Sequence, residues 1–225
     1  TQRDLMKTTA IMNELGVSAD ITTENMNTMV KAFGFTAREA ASTQRELFLL
    51  ARTIDMPPEA MAQAFDDAMP KLAAFGKEST TVFKELQVNA NKASMEVSEV
   101  LSIVEQFDTF DGATKAVGRL NAILGGPFLN SLEMVTVTDP TERMRMLSAA
   151  VNDAGVSFDQ MDYYQRKALA SAMGVDEIQL AKMMRDGFDS AVPSVQKSQA
   201  ELAAMADEAA KMQDIMAELA QTGRM

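Results

Sequence analysis

The chain has 225 residues, of which 47% are hydrophobic, and its formal net charge is −11; this composition is sufficient for one large or two small folded domains. It contains no cysteine and no histidine, which excludes disulfides, zinc sites built on these residues and every catalytic triad or dyad that uses them. An acidic surface repels phosphate backbones, so we expect no autonomous nucleic-acid binding, and no apolar run approaches the roughly 20 residues of a membrane-spanning helix.

Helical periodicity, helix-capping residues and helix-stopping glycines predict a series of short amphipathic helices in the first half of the chain. Thr36 and Glu39 form a capping box that opens one helix, and Pro57-Pro58 separates that helix from the next. We expect Pro70 to kink or break its helix near Met69. Ser94 is the expected N-cap of the last helix in this half. The predicted helices cover residues 4–15, 23–33, 37–56, 58–76, 77–92 and 95–108.

The stretch from Phe107 to Thr138 is the least regular part of the chain. A helix is predicted over residues 112–124. Gly125, Gly126 and Pro127 then stop it and form a candidate structural hinge. A helical turn near residues 129–134 and an extended piece should follow. Asp139 with Pro140 and Glu142 marks the start of the next helix. The later helices are predicted at residues 140–155, 159–173 and 176–185.

The C-terminal part has a different pattern, because apolar or small residues recur there in alternating steps of three and four. This is the heptad pattern of a coiled coil, sustained for about three and a half repeats. The alternative is an amphipathic helix that lies on its own domain. The candidate oligomer seam consists of Val195, Ser198, Leu202, Met205, Ala209, Met212, Met216 and Leu219.

These patterns predict an all-α fold, in which a multi-helix array of short amphipathic helices precedes a long C-terminal helix with coiled-coil heptads. The helical body should span residues 1–190, with a sub-boundary near residues 76–94, and the long helix should span residues 191–225. Units of two helices and a glycine recur without a fixed period, which suggests a repeat-like array.

The sequence offers little catalytic or metal-binding chemistry. The glycines at 125 and 126 are not followed by the Gly-Lys-Ser/Thr of a phosphate-binding loop. Gly112 does not complete a calcium-binding loop, because the loop positions 1 and 12 that it implies lack ligands. A carboxylate pair of the glycosidase type could draw on Glu105, Asp108, Asp111 and Glu133, although 32 acidic residues make such pairs common. We therefore predict no enzyme activity, no metal and no cofactor.

The aromatic residues are few, and we interpret most of them as core residues. Phe107, Phe110 and Phe128 are expected to anchor the core. Of the only tyrosine pair, Tyr163 and Tyr164, one ring should lie in the core and the other on the surface.

The region from Val82 to Met184 resembles the tail tape measure proteins of long-tailed bacteriophages, particularly the helical virion proteins of myovirus-like phages. The resemblance covers nearly half of the chain and consists of short recurring sequence motifs, none of which is a catalytic signature. The matching stretches are VFKELQ (82–87), QFDTFDGATKAVGRLNAILGG (106–126), LNSLEM (129–134), DPTERMRML (139–147) and SFDQMDYYQRKALASAMGV (157–175).

This resemblance implies a structural protein of the virion. Tape measure proteins are long helical chains that fill the tail tube during assembly, set its length and leave it ahead of the DNA at infection. They are commonly homo-oligomers, such as trimers, and their expected partners are tail tube or baseplate hub proteins. The implied location is the phage tail, with the host cytoplasm during assembly. Some members carry a cell-wall-degrading domain, but no peptidase or muramidase motif is recognisable here. Family members are much longer, so we expect a segment of a longer chain.

Two other functions compete with the tape measure hypothesis. The first is a non-enzymatic bacterial helical adaptor, whose coiled coil would dimerise and whose methionine-rich faces would accept partner helices. The second is a carboxylate-based glycosidase. Occurrence in phage particles would distinguish the tape measure from the adaptor.

Overall fold

The computed structural model describes residues 2–194, 201–208 and 211, and the regular secondary structure of these residues is entirely helical. The predicted all-α class is therefore confirmed. The short helices and their bounds are α1 (Gln2–Glu14), α2 (Ala19–Lys31), α3 (Ala37–Thr53), α4 (Pro58–Leu72), α5 (Ser79–Ala93), α6 (Val97–Glu105), α7 (Phe110–Leu124), α8 (Ser131–Thr136), α9 (Pro140–Asp153), α10 (Tyr163–Met173) and α11 (Glu177–Asp186), with 3-10 turns at Ala73–Glu78 and Phe158–Gln160.

The C-terminal region is described only in part. Residues 191–194 have no regular secondary structure, and residues 201–208 are helical. Most of the predicted long helix of residues 191–225 lies outside the described residues, so its length and its coiled-coil character stay predictions.

The chain divides into two compact units. Unit 1 comprises Thr1–Thr80 together with Pro193–Met225, and unit 2 comprises Thr81–Val192. In unit 1, α1, α2, α3 and α4 pack against one another; in unit 2, α7 packs on α8 and α10, and α9 on α6 and α11. The first boundary lies in the first turn of α5, within the sub-boundary predicted at residues 76–94. Unit 1 therefore combines two separate parts of the sequence.

One three-residue turn recurs between successive helices of both units. Its first residue has a positive φ, from 55° at Asp55 and Ser94 to 87° at Gly16. The second residue is apolar, and its backbone N–H donates to a carbonyl in the last turn of the preceding helix, as from Val17 to Met12 at 2.9 Å. The third residue is the N-cap of the next helix. The turns are Gly16-Val17-Ser18, Gly34-Phe35-Thr36, Asp55-Met56-Pro57, Ser94-Met95-Glu96 and Gly174-Val175-Asp176.

The helix that follows each of these turns places its fourth residue in the core. That residue has no exposed surface in any of the five cases, which are Thr22, Ala40, Met61, Val100 and Leu180. An apolar residue just before the N-cap and a buried residue four positions into the helix have the spacing of a hydrophobic staple, a motif that fixes the angle at which a chain enters its helix. Four of the five buried residues are apolar, and Thr22 is polar. The repeat that the sequence suggested is therefore a repeat of turn geometry.

The structure confirms some predicted helix boundaries and corrects others. The capping box at Thr36 and Glu39 is present, and Asp139 caps α9 with Pro140 at its first position. Of the kink or break predicted near Met69, the break is wrong, because α4 continues through Pro70 to Leu72, and the kink stays a prediction. A proline close to a helix end disturbs few hydrogen bonds. Ser94 was also wrongly predicted as an N-cap: it holds the left-handed position of its turn, and Glu96 caps α6.

The aromatic residues are less buried than predicted. Phe107 is fully buried, as expected, but Phe110 is 63% exposed and Phe128 is 37% exposed. Tyr163 and Tyr164 are both exposed, so the prediction of one core ring is wrong. Phe110 is the first residue of α7, and the tyrosines are the first two residues of α10. Side chains lean toward the N-terminus of their helix, so those at its first positions have no preceding turn to lie against.

Asp55→Gly should stabilise the protein. Asp55 is an exposed residue at φ 55°, in a region that glycine adopts without the Cβ strain of other residues. We expect a gain of about 0.5–1 kcal/mol, measured as a higher midpoint of chemical denaturation. Asp55→Ala keeps the Cβ and is the control. An equal gain in that variant would show that backbone strain is not the cause.

The contribution of Glu39 to stability should be present at neutral pH and lost at acidic pH. The Thr36 backbone N–H donates to the Glu39 carboxylate at 2.6 Å and Lys77 pairs with it at 3.2 Å. Thr36, through its backbone N–H and then its hydroxyl, and Lys77 lower the pKa of Glu39 from 4.5 to about 2. The ionised carboxylate therefore stabilises the fold fully above about pH 4.5, and this stabilisation is lost as the pH falls toward 2.

The test is a series of thermal midpoints from pH 7 to pH 2. Glu39→Gln should lie below the wild type at pH 7, and the difference should shrink between pH 4.5 and pH 2. The control is Glu133→Gln, which removes an exposed first-turn carboxylate of α8. A difference between wild type and Glu39→Gln that stays constant across this range would contradict the assignment.

Candidate functional site

Arg143 is the most unusual buried residue of unit 2. It is only 4% exposed, although it carries a full charge. It is the fourth residue of α9, the position at which the five turns described above place a small or apolar buried residue. The residue before the N-cap of α9 is Thr138 in place of an apolar one. The start of α9 is therefore held by polar interactions, whereas the five helices that follow the recurring turn bury an uncharged residue at this position.

The guanidinium group of Arg143 binds three backbone carbonyls and one carboxylate. Its Nε donates to the carbonyl oxygens of Met134 at 3.1 Å and Val137 at 2.5 Å. Its Nη1 donates to the carbonyl oxygen of Val104 at 3.0 Å and to the Asp108 carboxylate. The planar fork of arginine suits such simultaneous contacts, and lysine cannot reproduce them.

These contacts connect the end of α6 with two separate parts of the Phe107–Thr138 region. Val104 lies at the end of α6, Asp108 precedes α7, and Met134 and Val137 lie in and just after α8. The sequence predicted an extended piece after α8, and Val137 in this piece has its carbonyl bound by Arg143 where the chain turns into α9. Sequence reasoning missed Arg143. The available signal was an arginine at the fourth position after a strong Asp-Pro helix start.

The candidate hinge at Gly125, Gly126 and Pro127 is bridged by Asn121. Gly125 ends α7 with φ 80°. The Asn121 side chain accepts from the Leu129 N–H at 2.9 Å and donates to the Leu129 carbonyl at 2.8 Å. A Cβ on Gly126 would come within 2.7 Å of the Phe128 ring. Motion at this hinge would have to break both Asn121 bonds, so the hinge stays a prediction.

The candidate carboxylates lie in solvated environments. Asp111 pairs with Lys115 at 2.6 Å, and both side chains are exposed. Asp108 is bound to Arg143 and its side chain is 57% exposed. Glu105 and Glu133 are also exposed. Among the described residues, no group of three or more acidic residues is placed to hold a metal ion.

Two members of the candidate seam are described, and both face the core of unit 1. Leu202 is fully buried with Met12, Val17, Phe48, Leu49 and Ala62. Met205 is partly buried and packs against the same cluster. Residues 201–208 therefore form an amphipathic helix that packs on its own unit. This packing is the alternative to a coiled coil that the sequence pattern also allowed. Val195, Ser198, Ala209, Met212, Met216 and Leu219 lie outside the described residues.

Each unit also carries a surface groove. A groove of about 370 Å³ in unit 1 runs between α1 and α2, with Leu5, Met6 and Met26 among its lining residues. A more polar groove of about 350 Å³ in unit 2 is lined by residues that include Asn152, Asp159 and Arg185. Within the described part of the chain, none of the helices has the length and apolar character needed to cross a membrane.

Comparisons of the chain with protein-family models, curated proteins and solved structures give no match. The resemblance to tape measure proteins therefore depends on the residues quoted for it. All of those residues lie in unit 2.

Replacing Arg143 should destabilise unit 2 selectively. Arg143→Met would leave three backbone carbonyls without the cation that binds them and should cost about 3 kcal/mol. In hydrogen–deuterium exchange, peptides that cover residues 128–143 should exchange faster. Arg145→Met is the matched control, because Arg145 pairs with Glu142 on the same helix but is about half exposed. Its loss should cost less than about 1 kcal/mol. Equal effects of the two substitutions would contradict this role of Arg143.

Proposed function

We propose that this chain is a segment of a bacteriophage tail tape measure protein and that it acts as a structural, non-enzymatic component of the tail. The observation that carries the proposal is where the resembling stretches lie. All five fall within unit 2, and Arg143 connects three of them: residues 106–126 through Asp108, residues 129–134 through Met134, and residues 139–147 through its own position. The sequence motifs that carry the resemblance thus belong to one compact unit.

The compact units favour a particular role within such a protein. A single continuous helix converts sequence into length at 1.5 Å per residue, which is the property a molecular ruler needs. A compact unit of about 110 residues has a radius of gyration of only about 13 Å. Short helices joined by tight turns therefore contribute little to measured length. We place this segment at one end of the tape measure, where it would contact a tail tube or baseplate hub protein.

The charge and composition agree with a protein that must leave the tube ahead of DNA. The net charge of −11 disfavours binding to the phosphate backbone that follows it. The 19 methionines supply flexible side chains that can pack in more than one way. Self-association through the heptads of residues 195–219, as a trimer or another homo-oligomer, is the further part of this proposal.

Mass spectrometry of purified phage particles from the source tests the proposal directly. The tryptic peptide from Leu120 to Arg143 should be present at a few copies per particle, because a tape measure is a minor structural component of the tail. Particles purified on a density gradient and a matched lysate of infected cells should be compared. The peptide should be enriched in the particles relative to abundant host proteins.

Detection of the peptide only in the cell extract would overturn the assignment. The helical adaptor would then be the better hypothesis, since it needs the same helices and the same seam but no virion. Detection in particles would leave the chain's position in the tail to be mapped by crosslinking to tube and hub proteins.

A further inference from the structure

We propose that residues 201–208 act as a strap on unit 1, and that docking of this strap and self-association through the heptad seam exclude each other. The inference rests on the self-association that the proposed function includes. It adds that docking of the strap prevents this self-association. A chain whose strap is docked would not self-associate. When the strap is released, the same helix of a second copy would pack against the seam.

The buried face of the strap is defined by three residues. Leu202 is fully buried, Ala206 is 1% exposed and Met205 packs against the same cluster. Glu201, Asp207 and Glu208 lie on the solvent-exposed side. Spacings of three and four residues place the three buried residues on one face of a helix. The strap is thus bound by its apolar face, and its acidic residues remain in water.

The acceptor on unit 1 is formed by parts of three helices and one turn. Met12 belongs to α1, Val17 to the turn that follows it, Phe48 and Leu49 to α3, and Ala62 to α4. Val17 is also the apolar residue of the recurring turn. The strap therefore covers the place where the N-terminal turn is packed, and its release would expose this apolar cluster.

Exclusion follows from the burial of Leu202. In a coiled coil, residues at the two apolar heptad positions contact the partner helix. Leu202 and Met205 hold these positions in the pattern of residues 195–219. A side chain with no exposed surface has none left for a second helix. Self-association through this seam must therefore release the strap, and the two packings compete for the same apolar side chains.

Ala206 distinguishes the two packings. It is buried in the docked strap, yet in the heptad pattern it lies beside the seam, at a position where coiled coils tolerate charge. Ala206→Lys should therefore prevent docking and still permit the coiled coil, in which it could pair with Glu201 of a second copy. Ala204 is exposed two residues earlier, so Ala204→Lys changes the charge equally and is the matched control.

The experiment measures the mass of the wild type and both variants by light scattering over a range of concentrations. Ala206→Lys should associate at a concentration about tenfold or more below that at which the wild type and Ala204→Lys associate. In the wild type and in Ala204→Lys, docking of the strap face that contains Leu202 competes with association. Leu202→Lys removes an apolar residue from both packings and should stay monomeric. Circular dichroism checks that the variants keep their helices.

A second measurement reports docking directly. The chain has no cysteine, so one introduced thiol gives an unambiguous signal. The thiol of Ala206→Cys should react with a maleimide about tenfold or more slowly than that of Ala204→Cys in the monomer, because it reacts only when the strap opens. After labelling under conditions that open the strap, the Ala206→Cys protein should associate like Ala206→Lys.

Each contrary result has a distinct meaning. If the wild type and Ala206→Lys associate equally while the thiol at position 206 stays protected, the strap does not control association and the inference is wrong. If Ala206→Lys remains monomeric at every concentration, both the strap control and the proposed self-association are wrong. The tape measure assignment would still be decided by the particle mass spectrometry. Equal reactivity of the thiols at positions 204 and 206 would show that the strap does not dock.

Discussion

The fold depends on ending one helix and starting the next within three to five residues. A left-handed residue lets the preceding helix close its last turn, an apolar residue donates its backbone N–H back to that helix, and an N-cap begins the next helix. The same geometry holds with glycine, aspartate or serine in first place, as Gly16, Asp55 and Ser94 show. Each of the five helices that follow this turn buries its fourth residue completely. Because this turn fixes the angle at which each helix begins, short helices with weak individual stability can be packed into compact units.

Arg143 is the exception that gives unit 2 its particular structure. Where the five helices after the recurring turn bury an uncharged residue, α9 uses a buried guanidinium group that holds the carbonyls of Val104, Met134 and Val137. A buried cation is tolerated only when its donors are satisfied, which makes the contact specific to this arrangement of α6, α8 and α9. The same contact relates the stretches that resemble tape measure proteins to one another, so the proposed function and the local structure depend on the same residue.

The C-terminal segment shows how one sequence pattern can serve two packings. The heptads of residues 195–219 predict an oligomer, and the structure packs Leu202 and Met205 on unit 1. Both uses need an apolar stripe along a helix, and periodicity is the same for a partner helix in another copy as for a groove in the same unit. A tail protein that assembles in the cytoplasm and then functions in the tail would benefit from a seam that stays covered until assembly.

The sequence by itself determined the all-α class, the positions of most helices and several of their ends. Thr36 and Glu39, Asp139 and Pro140, and Gly125 and Gly174 act through local backbone chemistry, so the signal lies within a few residues. Only the tertiary structure decided that Ser94 would take a left-handed conformation, that Phe110 and Tyr164 would be exposed, and that Arg143 and Asn121 would bind distant carbonyls. The same is true of the joining of the C-terminal residues to unit 1 and of the docking of Leu202. Burial and side-chain pairing depend on which helices meet, and local periodicity does not encode that information.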